Sequence, residues 1–307
     1  MSSSVDKSTG AKKLFSGQNI TYLGMVWGVF SLFLFLLFSI TAPEENSPVW
    51  YVISTYILEL VPFLCAGFLC YRNFRSPQIA SGRKVWLGIG LGMLCFFLGG
   101  IVFGIWEVYF GLEPDVSPAD LFYMAFYLFI GWGMFLAVLP RRLNLESWQW
   151  IVIFLIAVAG IAFAAWIVLG VGGVEVAFEE EAVESISTLP AWVTSTDELL
   201  SQFADPVNIF YIAADVGLLI IASTLLLAFW GGRFSQSWRM IAAATFAQYI
   251  ADMWSQYAYT FIENYESGDL LEVFYVFSGI LFAIGAALEY EISTSRPSRG
   301  RRRRGSS

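Results

Sequence analysis

The chain has 307 residues, 57% of them hydrophobic and only 14% charged, with a formal net charge of −8, whereas soluble domains carry about 25% charged residues. Aromatics reach 18%, with 12 Trp and 28 Phe, an excess that suits membrane interfaces better than a soluble core. Histidine is absent, which removes the commonest general base, the commonest transition-metal ligand and the usual axial ligand of haem.

A transmembrane helix needs about 20 mostly apolar residues. Eight segments qualify, at 22–41, 48–71, 84–110, 119–139, 148–171, 206–230, 237–262 and 270–291. They predict an all-α polytopic bundle, organised as a tail over 1–20, a membrane domain over 21–292 and a second tail over 293–307. The first segment resembles a signal peptide, but its apolar run from Leu23 to Ile40 exceeds a signal core. Pro43 also follows Ala42 where cleavage would fall, so a retained anchor is expected.

Segment two carries Glu59 and Pro62, the latter a potential kink. Cys65 and Cys70, with Cys95 in segment three, lie in apolar stretches without a CxxC pair. They are expected to be small buried hydrophobes, with no metal or redox site. Segment three is glycine-rich, and the pairs Gly88/Gly92 and Gly100/Gly104 have the spacing of close helix approach. It ends in Trp106-Glu107-Val108-Tyr109, faintly paralleled by Trp254-Ser255-Gln256-Tyr257 in segment seven and by Trp166 in segment five.

Segment four opens Ser117-Pro-Ala-Asp120-Leu-Phe122-Tyr123, segment six Asp205-Pro-Val-Asn208-Ile-Phe210-Tyr211 and segment eight Asp269-Leu-Leu-Glu272-Val-Phe274-Tyr275. Segment two has a weaker version, Ser47-Pro-Val-Trp-Tyr51. Ser117, Asp205 and Asp269 suit the N-cap, proline the first helical position, and Asp120, Asn208 and Glu272 the capping-box position. Capping with an aromatic interface anchor accounts for the motif; the alternative is a ligand-binding role. The pattern implies a two-helix hairpin used four times, as parallel repeats about an axis along the membrane normal.

The loop at 172–205 is acidic in its first half, through Glu175, Glu179 to Glu181 and Glu184. It reads as a solvated loop or as a docking surface for a partner or cations. Its second half, 196–203, predicts a short interfacial helix near Trp192, with Ser195 and Glu198 as a capping box.

All 17 Lys and Arg fall on one side of an eight-helix arrangement: Lys7, Lys12, Lys13, Arg72, Arg75, Arg83, Lys84, Arg141, Arg142, Arg233, Arg239, Arg296, Arg299 and Arg301 to Arg304. Acids such as Glu44, Glu45, Glu113, Asp115, Glu263 and Glu266 fall on the other. The positive-inside rule then puts both termini in the cytoplasm, of a bacterial cytoplasmic membrane or another internal membrane. Beyond the bilayer itself, the Arg-rich tail is expected to meet anionic lipid headgroups rather than nucleic acid.

Four acids within the segments are the site candidates: Glu59, Glu107, Asp215 and Asp252. At about 1.5 Å per residue, Glu59, Asp215 and Asp252 sit about 15 Å deep in a roughly 30 Å core, and Glu107 is shallower. Buried ionisable groups in a membrane are functional candidates. With no basic partner at that depth, they must be protonated, hydrated, bound to a cation, or bonded to groups such as Tyr56, Tyr249 or Gln256. Interhelical hydrogen bonding is the structural alternative to a ligand, proton or cation site. Asp215 and Asp252 are expected near each other.

Trp106-Glu-Val-Tyr109, the run from Ser117 to Tyr127, Ala251-Asp-Met-Trp254, and Asp269 with Ala286-Ala-Leu288 resemble the multi-helix membrane region found ahead of GGDEF diguanylate cyclase and some histidine kinase domains. The resemblance spans about residues 20–292 and implies a membrane sensor. No output domain follows segment eight in this sequence, so cyclic-dinucleotide chemistry does not carry over. No phosphate loop, nucleophile elbow or metal-ligand cluster occurs, and no cofactor or catalytic residue is expected. The expectation is a non-enzymatic sensor-like or scaffolding bundle acting through a membrane-protein partner. The alternative is a small transporter using the mid-membrane carboxylates.

Overall fold

The computed structural model describes residues 16–39, 47–112, 116–139, 145–171, 189–229, 235–262, 265 and 267–295. Nine α-helices and no strand occur among them: α1 (Gly17–Phe38), α2 (Val49–Arg75), α3 (Arg83–Gly104), α4 (Asp120–Val138), α5 (Ser147–Val171), α6 (Ala191–Ser201), α7 (Ala204–Ala228), α8 (Ser235–Phe261) and α9 (Val273–Thr294). A π-helical turn, Ile105–Tyr109, prolongs α3, and a 3-10 turn, Leu270–Glu272, leads into α9. The chain is a multi-pass integral membrane protein. Among the described residues, seven helices are long and apolar enough to cross a bilayer. The expected eighth, α8, is as long as its neighbours but too polar to qualify. Gln248, Asp252, Ser255 and Gln256 face inward, so its polarity follows from what it lines.

Six helices close a ring in the order α2, α3, α4, α7, α8, α9 and back to α2. Helix α1 lies outside against α9, and α5 lies outside against α7. These two outer helices leave Leu23, Val26, Phe30 and Phe33, and Ile151, Phe154 and Leu155, exposed, as side chains that face lipid would be. The amide of Gly17 bonds Glu291 Oε2 at 3.0 Å, so both described ends of the chain lie at one end of the bundle. Arg72, 4.1 Å from the ring centroid of Tyr290, marks the same end.

Glycine sets the closest crossing. A Cβ on Gly88 would stand 2.7 Å from the Gly133 Cα, so α3 and α4 touch backbone to backbone. Gly92 packs against the same helix, whereas Gly100 and Gly104 meet Leu60 and Tyr56 on α2. Pro62 lies inside α2. Lacking an N–H, it leaves the Leu58 carbonyl without its helical donor. The Trp27 indole of α1 fills that place, at 2.9 Å.

Several local expectations need correction. Cys70 is buried, but Cys65 is exposed, because it sits on the outward face of α2. Asp205 is not an N-cap: α7 begins at Ala204, since α6 runs almost directly into it through Gln202 and Phe203. Ser195 is not a cap either, because α6 begins at Ala191 after Pro190 and already includes it. The acidic residues 175–184, the tail from Arg296 to Arg304, and Lys7, Lys12, Lys13, Arg141, Arg142 and Arg233 lie outside the described residues.

Candidate functional site

The ring encloses a cavity of about 230 Å³. Every ring helix contributes: Tyr56 and Glu59 from α2, Phe96 and Phe103 from α3, Asp120, Tyr123 and Tyr127 from α4. Asn208, Tyr211 and Asp215 come from α7, Gln248, Asp252, Ser255, Gln256 and Tyr259 from α8, and Tyr275 from α9. The cavity runs from mid-bundle, at Asp215 and Gln248, to Ser267 and Glu272 at the end away from Arg72. It carries five carboxyl side chains and, among the described lining residues, no Lys or Arg.

The innermost part is built on Tyr127. Its hydroxyl lies 2.8 Å from Asp215 Oδ1 and 2.8 Å from Asp252 Oδ2. Tyr275 donates to Asp252 Oδ1 at 2.9 Å, and Gln248, one turn earlier on α8, donates its amide N–H at 3.2 Å. Ser255 and Tyr275 share a further bond of 3.1 Å. Two acceptors remain open: Asp215 Oδ2 and Gln248 Oε1 have no hydrogen-bond partner, and each residue is only 2% exposed. A buried polar atom without a partner costs about 1–3 kcal/mol.

The outer part combines capping with lining. Ser117 is not the N-cap of α4, which begins at Asp120 after Ala119; Asp120 instead accepts the Ser117 amide at 2.7 Å ahead of the helix, and also the Tyr211 hydroxyl at 2.5 Å. Glu272 accepts the Gly268 amide at 2.7 Å and the Tyr265 hydroxyl. Asp269 caps the 3-10 turn through the Leu270 amide. Outside the helices, burial and the nearby Glu272 carboxyl push the Tyr265 phenol up, which keeps it a donor. The motif acid and tyrosine are three residues apart, so both turn to one helix face. Asp120/Tyr123, Asn208/Tyr211 and Glu272/Tyr275 therefore all reach the cavity. Phe122, Phe210 and Phe274 do not line it.

The four sequence candidates divide. Asp215 and Asp252 meet at Tyr127, and Glu59 lines the same cavity. Glu107 stands behind the wall, in the π-helical turn, bonded to the hydroxyl of Tyr56. Tyr249 is not a partner of these acids, because it turns outward and donates to the Gly160 carbonyl of α5 at 3.1 Å. Gln248 escaped the sequence reading, although its place four residues before Asp252 puts both on one face. So did Glu289, fully buried at the other end of the bundle and bonded to Ser81 Oγ at 2.6 Å.

Comparison of the chain with protein-family models, with curated proteins and with solved structures returns no match. The site therefore has to be read from its own chemistry. Among the described residues, no three Cys, Asp or Glu side chains come together as a metal-binding group.

Proposed function

We propose that this protein is a membrane-embedded ligand-binding bundle of the sensor-like kind, non-enzymatic, which passes the state of its central cavity to a membrane-protein partner. The observation that carries the reading is the polar cavity itself. Asp215 Oδ2 and Gln248 Oε1 are buried and unmatched on residues that line that open space, where a ligand could complete their hydrogen bonds. The resemblance to membrane regions that precede signalling domains favours a sensor. In this reading the cavity opens to the extracytoplasmic side of a bacterial membrane, and the basic end meets anionic headgroups in the cytoplasm.

Thermal unfolding of the full chain in detergent, across a panel of small polar solutes, tests this. A solute that raises the midpoint of the wild type but not of Ser255→Phe, which fills the cavity, is the expected result. A panel that shifts neither protein counts against a ligand site.

A carrier is the second reading, favoured by the depth of Asp215 and Asp252 at the inner end of the cavity. Flux into reconstituted vesicles separates the two. A carrier loses flux in Asp215→Asn and Asp252→Asn, while a sensor shows none under any gradient.

A further inference from the structure

The inner end of the cavity restricts what it can hold. Asp215 and Asp252 stand there, and the cavity as a whole has five carboxyls and no described Lys or Arg, which makes it a place for positive charge. The two open atoms, Asp215 Oδ2 and Gln248 Oε1, are both acceptors, so the occupant must donate at least two hydrogen bonds. Phe96, Phe103 and Phe126 supply apolar wall in the same cavity, and Tyr123, Tyr127 and Tyr275 add aromatic rings of the kind that attract a cation. A bare metal ion would gain nothing from that wall, and no metal-binding group of three side chains is present among the described residues. The volume corresponds to about seven waters at about 30 Å³ each, or a molecule of up to about eight non-hydrogen atoms.

Protons add a second restriction. A phenol has one proton and can donate to one acceptor at a time. Tyr127 nevertheless sits 2.8 Å from both carboxyls. The two carboxyls also stand within hydrogen-bonding reach of each other, so these close contacts need one carboxyl to be the acid and share its proton within the trio. The empty trio then carries a charge of about −1. An ammonium that enters supplies the missing donors, so that proton is free to leave and the local charge stays the same.

We propose that the cavity binds a small primary or secondary organic ammonium between α7 and α8, in exchange for the one proton held by Asp215, Tyr127 and Asp252. This rests on the cavity being a ligand site. Other titratable groups lie near the trio: Glu59 from α2, Tyr211 from α7 and Tyr275 from α9, while Tyr249 of α8 turns outward to α5. None is a base, so none can replace the cation.

Calorimetry on the full chain in detergent near pH 7 tests the proposal, with n-propylammonium, tetramethylammonium, potassium and n-propanol as probes. The expected order places propylammonium at least tenfold tighter than the other three. Repeating the titration in buffers of different ionisation heat should give a release of about one proton per amine. Asp215→Asn should weaken binding at least tenfold and bring the release near zero. Gln248→Leu, which removes an unmatched acceptor together with the amide donor to Asp252, should weaken binding and keep the release.

Equal binding of propanol would overturn the ammonium and leave the cavity a ligand site. Potassium or tetramethylammonium binding as tightly as propylammonium would overturn the N–H donor requirement. Amine binding without proton release would overturn the exchange. Silence from all four probes, with another solute stabilising the wild type, would overturn this inference but not the proposed function.

Discussion

At the scale of single residues, polar groups inside this bundle are shared between helices rather than satisfied within one. Trp27 shows the economy of it. Its indole replaces the donor that Pro62 lacks, so α1 is attached at the point where α2 is weakest. Trp27→Phe should cost about 1–3 kcal/mol, the penalty of a stranded buried carbonyl. Pro62→Ala restores an N–H four residues after Leu58, so the same Trp27→Phe change should cost far less in that background. Thermal unfolding of the two single variants and the double variant measures the coupling. Equal losses in both backgrounds would show that Trp27 acts through packing alone. At Tyr127, by contrast, one hydroxyl serves α4, α7 and α8 together.

Among helices, glycine determines which neighbours touch. Gly88→Ala or Gly133→Ala would press a methyl against opposing backbone at under 3 Å. Each should destabilise by about 1–3 kcal/mol. Gly217→Ala on α7, where no atom lies within 4 Å, should be neutral or mildly stabilising, because alanine favours the helix. Unfolding midpoints of the three variants decide it, and equal losses would remove the close crossing as an explanation. The helices were legible because apolar length is a property of a segment by itself. The seam was half legible, since Gly88/Gly92 spacing announces a close approach without naming Gly133 as its target. The cavity was least legible. Depth along the helix placed Glu59, Asp215 and Asp252 at one level, but convergence depends on angular position and on ring order. Tyr127 had no sequence mark of its own beyond lying four residues after Tyr123. The capping motif misled in a useful way: Asp120 and Glu272 hold the backbone just ahead of their helices, at Ser117 and Gly268, and the same side chains also line the cavity.

Over the whole molecule, a closed ring with two outer helices puts the polar interior in one place and the two described ends of the chain at one end. A reporter fused after Arg304 should be cytoplasmic and one inserted near Glu180 extracytoplasmic, as protease protection or an alkaline phosphatase fusion would read. Both reporters on the same side would break the eight-crossing topology.

Ring closure also sets a schedule for biogenesis. The gap between α8 and α2 is filled by α9, which leaves the ribosome after the other eight described helices. Until it arrives, Glu59 has entered the bilayer without the wall that Tyr275 completes, and α1 has no α9 to rest on. Until then the ring is an open crescent, and Glu59 on α2 lacks part of its cavity wall. In that interval a membrane insertase or chaperone that shelters polar helices would matter most.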